Sequence, residues 1–192
     1  MKTEFEVRIL NIDINEMINK CMSIGADFSG VFFQNRYVYD FNPPINGKWI
    51  RLRNNGHKTT LAVKMIKDLK IDGTKEVEII VSDFYETNIL LNELGYIPRN
   101  YQENFRIEFC INGVTLDIDK WPSLNPYIEI EGFDEKSVYN MVELLGFSQD
   151  EVTTLDVDTL YRNVGIILEN IQHLSFEQEE KETLLEFVRK EE

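Results

Sequence analysis

Trp49-Ile50-Arg51-Leu52-Arg53-Asn54-Asn55-Gly56-His57-Lys58-Thr59-Thr60-Leu61-Ala62-Val63-Lys64 contains two segments whose side chains alternate in character, joined across Asn-Gly. Alternation with period two marks a strand with unlike faces, and Asn-Gly between two such segments is the strongest short-range hairpin signal. Arg51 and Arg53 share one face, with Leu52 opposite. The same i, i+2 pairing of like charges recurs at Glu4/Glu6, Glu76/Glu78, Asp117/Asp119 and Glu129/Glu131, opposite Phe5, Val77, Ile118 and Ile130. A half-exposed sheet with a charged outer face would alternate in the same way. Such a face mixes Thr, Ser, Gln and Lys, however, whereas here the charges sort by sign strand by strand, and like charges on neighbouring strands repel unless ions intervene. A closed barrel of about eight strands with these faces inward would instead enclose a wet channel, with helices covering its apolar outside.

The flanking sequence supports that arrangement. Lys2 to Leu10 alternates, and Asp13 can cap a helix that Gly25 stops. An extended stretch over about 28–41 ends at Asn42-Pro43-Pro44, which reads as a turn. Lys75 to Val81 is a strand, and a helix from about Phe84 to Leu94 closes at Gly95. Tyr101 to Ile111 and Val114 to Lys120 pair across Asn112-Gly113, then Tyr127 to Glu131 and a helix over 135–145 follow. The order β-α-β-β-β-β-α-β-β-β-α, dominated by hairpins, predicts an α+β fold around an antiparallel sheet. Residues 147–192 are expected to be helical. The expected division is a tunnel domain over 1–168 and an acidic C-terminal helical extension over 169–192. Leu184, Leu185 and Val188 give that extension an apolar stripe, suited either to packing on the domain or to plugging a tunnel mouth with carboxylates that compete for Arg51 and Arg53.

Composition narrows the function. The 192 residues carry a net charge of −14, which disfavours non-specific nucleic-acid binding. No apolar run suits a membrane span and the start lacks a signal peptide's apolar stretch, so a cytoplasmic protein is expected. Two cysteines, Cys21 and Cys110, imply no disulfide framework or Cys-rich zinc site. An anionic ligand must therefore meet locally clustered cations. Arg8, Arg51, Arg53 and Lys64, with Arg106 and Lys120, are the candidate phosphate donors. Glu4, Glu6, Asp117, Glu129 and Glu131 are hard oxygen ligands of the kind that suit Mg²⁺ or Mn²⁺, with Glu76, Glu78 and Asp119 as further acidic channel residues. A metal-bearing triphosphate uses both sets at once. Trp49, Trp121, Phe33 and Tyr37 offer rings to a nucleobase, though core or rim packing is the commoner role of such residues.

In these same motifs the sequence resembles the CYTH family of class IV adenylate cyclases, thiamine triphosphatases and related triphosphate tunnel enzymes. Glu4-Phe5-Glu6-Val7-Arg8 is similar to the family's E-x-E-x-K, and Trp49-Ile50-Arg51-Leu52-Arg53 to its R-x-R strand. Thr60 to Lys64, Lys75 to Glu78, Leu116 to Asp119 and Tyr127 to Glu131 follow in the family's order, and Gln34-Asn35-Arg36-Tyr37-Val38-Tyr39-Asp40 looks like its second strand. The resemblance implies a closed antiparallel eight-stranded tunnel, dependence on Mg²⁺ or Mn²⁺, a triphosphate substrate and a homodimer. It places Glu4, Glu6, Glu129 and Glu131 on the metal, Asp117 beside them, and Arg8, Arg51, Arg53 and Lys64 on phosphate, with Arg8 and Lys64 as catalytic cations. The implied activity is conversion of ATP to cyclic AMP and pyrophosphate. Hydrolysis of thiamine triphosphate, a nucleoside triphosphate or tripolyphosphate is the alternative, and non-catalytic triphosphate or polyphosphate binding a third. The chain departs from the pattern in three places: Arg8 stands for the usual Lys, Asn100-Tyr101-Gln102 for K-x-R, and Asp156-Val157 for a C-terminal Ser-Tyr.

Overall fold

A computed structural model describes residues 1–191, with side chains described through 186. The elements follow the predicted order: β1 (Lys2–Leu10), α1 (Ile14–Ser23), β2 (Asp27–Ile45), β3 (Lys48–Asn54), β4 (Thr59–Ile66), β5 (Thr74–Val81), α2 (Phe84–Glu93), β6 (Pro98–Ile111), β7 (Val114–Lys120), β8 (Tyr127–Gly132) and α3 (Glu135–Leu144). Beyond them come α4 (Val157–Asn163), the two-residue β9 (His173–Leu174) and α5 (Gln178–Glu191). Strands β1 to β8 form an antiparallel barrel in the order β2-β3-β4-β5-β1-β8-β7-β6, closed by pairing of β6 with β2. β9 adds two parallel pairs to the early part of β6, which extends beyond the end of β7.

Local chemistry fixes the ends. Asp13, Asp83 and Asp134 each accept a backbone N–H as helix caps, and Asp134 forms a capping box with Ser137. Asn112 and Gly113 both have positive φ, as the tight β6–β7 turn requires.

The apolar core lies outside the barrel wall. On one side, Val7, Ile107, Leu116, Ile118, Ile128 and Ile130 of β1 and β6 to β8 pack with Met17 and Cys21 of α1 and with Val138, Met141 and Val142 of α3. On another, α2 sets Phe84 and Leu91 against Tyr39, Ile50 and Leu52. Because the apolar residues of these strands face the helices, the charged partners one position away face inward. Among the described residues no helix is long and apolar enough to cross a membrane.

Two expectations change. β2 runs on to Ile45, with a register shift between Asp40 and Ile45 and a cis Asn42–Pro43 bond, and the chain turns at Asn46-Gly47 rather than at the prolines. Residues 147–177 are mostly not helical: Thr153 to Asn170, with α4 at its centre, lies across the end of the barrel at which β6 and β8 begin. Thr153 bridges Arg8, the Asn100 side chain donates to the Leu168 carbonyl and the Tyr161 hydroxyl to the Pro122 carbonyl. Trp121, Leu124, Tyr127, Leu160, Tyr161 and Leu168 form a buried cluster there, which is what a short, gapped apolar pattern can hold in place without a long helix.

The plug is also corrected. Phe176 and Leu184 pack on the outside of the wall, Lys181 pairs with buried Glu103 at 2.5 Å and Glu180 with Lys120 at 3.2 Å. None of the tail's described carboxylates reaches Arg51 or Arg53, because both arginines are already paired inside the barrel. The side chain of Val188, the third residue of the tail's apolar stripe, lies outside the described residues.

Candidate active site

The barrel encloses a cavity of about 930 Å³ whose lining includes Glu4, Glu6, Arg8, Arg51, Arg53, Lys64, Glu76, Glu78, Arg106, Asp117, Asp119, Glu129 and Glu131. The strand order places β2 and β3, which carry Arg36, Arg51 and Arg53, across the barrel from β1 and β8, which carry Glu4, Glu6, Glu129 and Glu131. A wall of cations thus faces a wall of carboxylates.

Each cation of the predicted set inside the barrel holds an acid. Arg8 pairs with Glu129 at 2.5 Å and Glu6 at 3.2 Å, and donates to the Leu155 carbonyl at 2.9 Å. Arg51 bridges Glu76 at 2.8 Å and Glu78 at 2.9 Å, and Arg53 meets Glu78 at 3.2 Å. Lys64 pairs with Glu4 at 3.0 Å. Arg106 grips Asp119 through Nε at 2.7 Å and Nη2 at 2.6 Å, and also pairs with Asp117. Removing this many charges from water costs several kcal/mol per ion, roughly what pairing returns, so the network is a poor device for stability. A ligand that exchanges places with the internal partners gives the arrangement a use.

Lys120 does not belong to the site. It alternates to the outer face of β7, donates to the Trp121 and Leu124 carbonyls and pairs with Glu180. The inward residue at the end of that strand is Asp119. Conversely, sequence reasoning passed over Arg36, which lines the cavity from β2. Its signal is faint because Gln34 occupies the i−2 position where the other strands repeat a charge.

The aromatic candidates separate. Phe33 packs on Phe176, and Tyr37 stacks on Phe84 outside the barrel. Trp121 is buried beneath Arg36, with its N–H donated to the Tyr127 hydroxyl at 2.9 Å. Of the four, Trp49 is the one that is half-buried in the cavity lining.

The electrostatics single out the acidic wall. Burial, then a hydrogen bond with Glu76, pushes the Glu4 carboxyl up to about 8, while Glu76 is brought down to about 2 against its own burial by that hydrogen bond, Arg51 and Lys64. Burial likewise raises Glu131 and Asp117, Asp117 well above the usual range despite Arg106 beside it. At Glu129, burial is outweighed by Arg8, Arg106 and Lys64, and the carboxyl drops to about 2. Among the described residues no three acidic side chains already converge as a metal cage, since each is drawn to a cation. The donor chemistry nevertheless fits a hard divalent ion. Asp117 Oδ1 is buried without a hydrogen-bond partner, and the burial and mutual repulsion that raise this carboxyl are what such an ion relieves.

Solved structures share this fold. The PH1012 protein of Pyrococcus horikoshii OT3 matches with a TM-score of 0.72 and 21% identity over 82% of this chain and 98% of that one. A candidate adenylate cyclase of Vibrio parahaemolyticus gives 0.71 and 12% over 84% and 98%. A candidate adenylyl cyclase of Hippeastrum with a dominant triphosphatase activity gives 0.57 and 14% over 87% and 97%. No protein-family model matches the sequence, and no curated protein does.

Proposed function

We propose that this chain is a CYTH-type enzyme that binds a triphosphate inside the barrel and processes it with a divalent metal, Mg²⁺ or Mn²⁺. The observation that carries the proposal is the opposition of Arg51 and Arg53 to Glu4, Glu6, Glu129 and Glu131 across one enclosed cavity. Arg51, Arg53 and Lys64 bind and orient the phosphate chain, releasing Glu76, Glu78 and Glu4 from their present pairs. Arg8, fixed by Leu155 and Glu129, is positioned to neutralise charge as a phosphoryl oxygen leaves; its planar fork replaces a Lys point charge, so it acts by hydrogen bonding rather than by proton transfer. Glu4, Glu6, Glu129 and Glu131 hold the metal, with Asp117 beside them. When bound, the ion polarises a phosphoryl oxygen. The Thr153 to Asn170 segment covers one end of the cavity with Asp156, Val157 and Leu168 in its lining.

The lining recognises phosphates far more fully than a base, which favours hydrolysis of an organic or inorganic triphosphate. Cyclisation of ATP is the second reading, and Trp49, whose ring could stack adenine, is the observation in its favour. A product assay with ATP, thiamine triphosphate and tripolyphosphate in parallel, with Mg²⁺ or Mn²⁺, tests both. Orthophosphate is expected from hydrolysis, and cyclic AMP with pyrophosphate from cyclisation. Triphosphate binding without metal-dependent turnover of any of the three would leave a binding protein instead.

Proton linkage gives a further expectation. Burial and the hydrogen bond with Glu76 raise the Glu4 carboxyl to about 8, so a metal that takes it as ligand competes with its proton below that pH. Metal affinity should therefore rise with pH from 6 to about 8, by about tenfold per unit at most for this one proton. Calorimetry in two buffers of different ionisation enthalpy should record proton release at pH 7. Metal binding with no proton release and no pH dependence would remove Glu4 from the ligand set.

A further inference from the structure

Arg36 differs from the other tunnel cations. It is 8% exposed, and among the described residues no carboxylate forms an ion pair with it. Its Nη2 donates to the Gln34 side-chain carbonyl at 3.0 Å and to that of Asn104, both neutral, and its Nε has no hydrogen-bond partner. The guanidinium is stacked over Trp121, 4.6 Å from the ring centroid, and Trp121 is fixed in turn by Tyr127 and by edge contact with Tyr161. The side chain is therefore held in place by groups that cannot neutralise it.

Its neighbours make matters worse. In the β2–β3 register Arg36 stands directly opposite Arg53, and like charges in that relation repel. Burial, then Arg51, Arg53 and Arg106, lowers its affinity for its own proton, with Asp119 the acid that opposes them. On the other side its register partner is Gln102, which contributes no charge. Two guanidinium groups, one with no ion-paired acid among the described residues, are thus placed side by side in the cavity that the barrel encloses. An anion carrying more than one charge is the group that satisfies both.

We propose that Arg36 and Arg53 form a phosphoryl subsite in which one phosphoryl group of the bound chain bridges the two guanidinium groups, with Arg36 supplying the cation that Gln102 does not. The subsite deepens the triphosphate reading and rests on it. It makes Arg36 a direct substrate contact, preset by Trp121, Gln34 and Asn104, rather than a framework residue.

The test compares wild type, Arg36→Gln, Arg36→Lys and Arg51→Met by calorimetry with tripolyphosphate and by thermal melting with and without it. Loss of a charge-assisted contact should weaken tripolyphosphate binding of Arg36→Gln about ten- to a hundredfold, and Arg36→Lys should recover part of that. Without phosphate, Arg36→Gln should melt no lower than wild type, because a repelled, unpaired cation has gone, while the rise in melting temperature caused by tripolyphosphate should shrink. A framework role predicts the reverse: lower melting to the same extent with and without phosphate, and an unchanged binding constant. That result, or failure of both Arg36 variants to fold, overturns the subsite. If wild type binds and Arg51→Met does not, but Arg36→Gln binds like wild type, the subsite alone fails. If wild type does not bind tripolyphosphate, the triphosphate reading fails and the subsite with it.

Discussion

Replacing Arg51 with Met should lower affinity for tripolyphosphate by about a hundredfold or more, the effect expected on truncating one partner of a buried, hydrogen-bonded charge pair. Arg51 is buried, sits near the middle of β3 and bridges two carboxylates at once through Nη2. Its loss removes the central donor for phosphate and strands Glu76 and Glu78 on Lys64 and Arg53 alone, so the cavity becomes more negative where the ligand must bring negative charge. Arg51→Lys keeps the charge but exchanges a planar fork for a single ammonium, and should recover only part of the affinity. Calorimetry with and without Mg²⁺ measures both. Equal affinity in wild type and Arg51→Met would place the phosphate chain elsewhere.

The largest expected effect on stability lies outside the tunnel. Leu116 is fully buried on β7, between β6 and β8, in the cluster that α1 and α3 cover. Truncation to Ala loses the transfer energy of the removed methyl groups and leaves a cavity in a wall that closure of the barrel keeps from collapsing, at a cost of about 2–5 kcal/mol. For a chain of this length each kcal/mol lowers the melting temperature by roughly 2–4 °C, so a fall on the order of 10 °C is expected in a thermal melt. A drop of a degree or two would mean that the helices reseat on the wall. Because its neighbours Asp117 and Thr115 face the opposite way, tripolyphosphate affinity of the folded Leu116→Ala protein should stay close to wild type.

Much of this architecture is legible in the sequence because a strand's period of two is a strict geometric constraint. Glu4/Glu6, Arg51/Arg53, Asp117/Asp119 and Glu129/Glu131 must share a face with their partners, and Leu116, Ile118 and Ile130 must share the other, so a barrel that buries the second set encloses the first. The same rule applied strictly would have excluded Lys120, which is one residue out of phase with Asp117 and Asp119. Arg36 was hidden for a different reason. A solitary cation between Gln34 and Val38 repeats nothing, and its importance comes from register with Arg53, a non-local fact of pairing. The stretch after residue 147 misled because Leu160, Val164 and Ile167 have helical spacing, yet only Leu160 of the three is buried, and the segment is held by contacts to Arg8, Asn100 and Pro122 that no local pattern announces.

The arrangement also explains how so acidic a chain can take an anionic ligand. Its net charge of −14 repels phosphate at long range, but inside the barrel β2 and β3 present Arg36, Arg51 and Arg53 as largely buried side chains, where each contact counts for more than on the surface. In the proposed mode of binding, phosphate would draw Lys64 and Arg8 from their carboxylates, and a divalent ion would replace them there.

The most direct test of that central claim is a crystal of the protein soaked with tripolyphosphate and Mn²⁺, with data collected for the anomalous signal of manganese. The account predicts a manganese peak inside the barrel, coordinated by carboxylates of the Glu4, Glu6, Glu129 and Glu131 wall, with phosphate density between it and Arg51 and Arg53. Manganese and phosphate found only on the outer surface, with the Arg51–Glu76 and Lys64–Glu4 pairs intact, would contradict it.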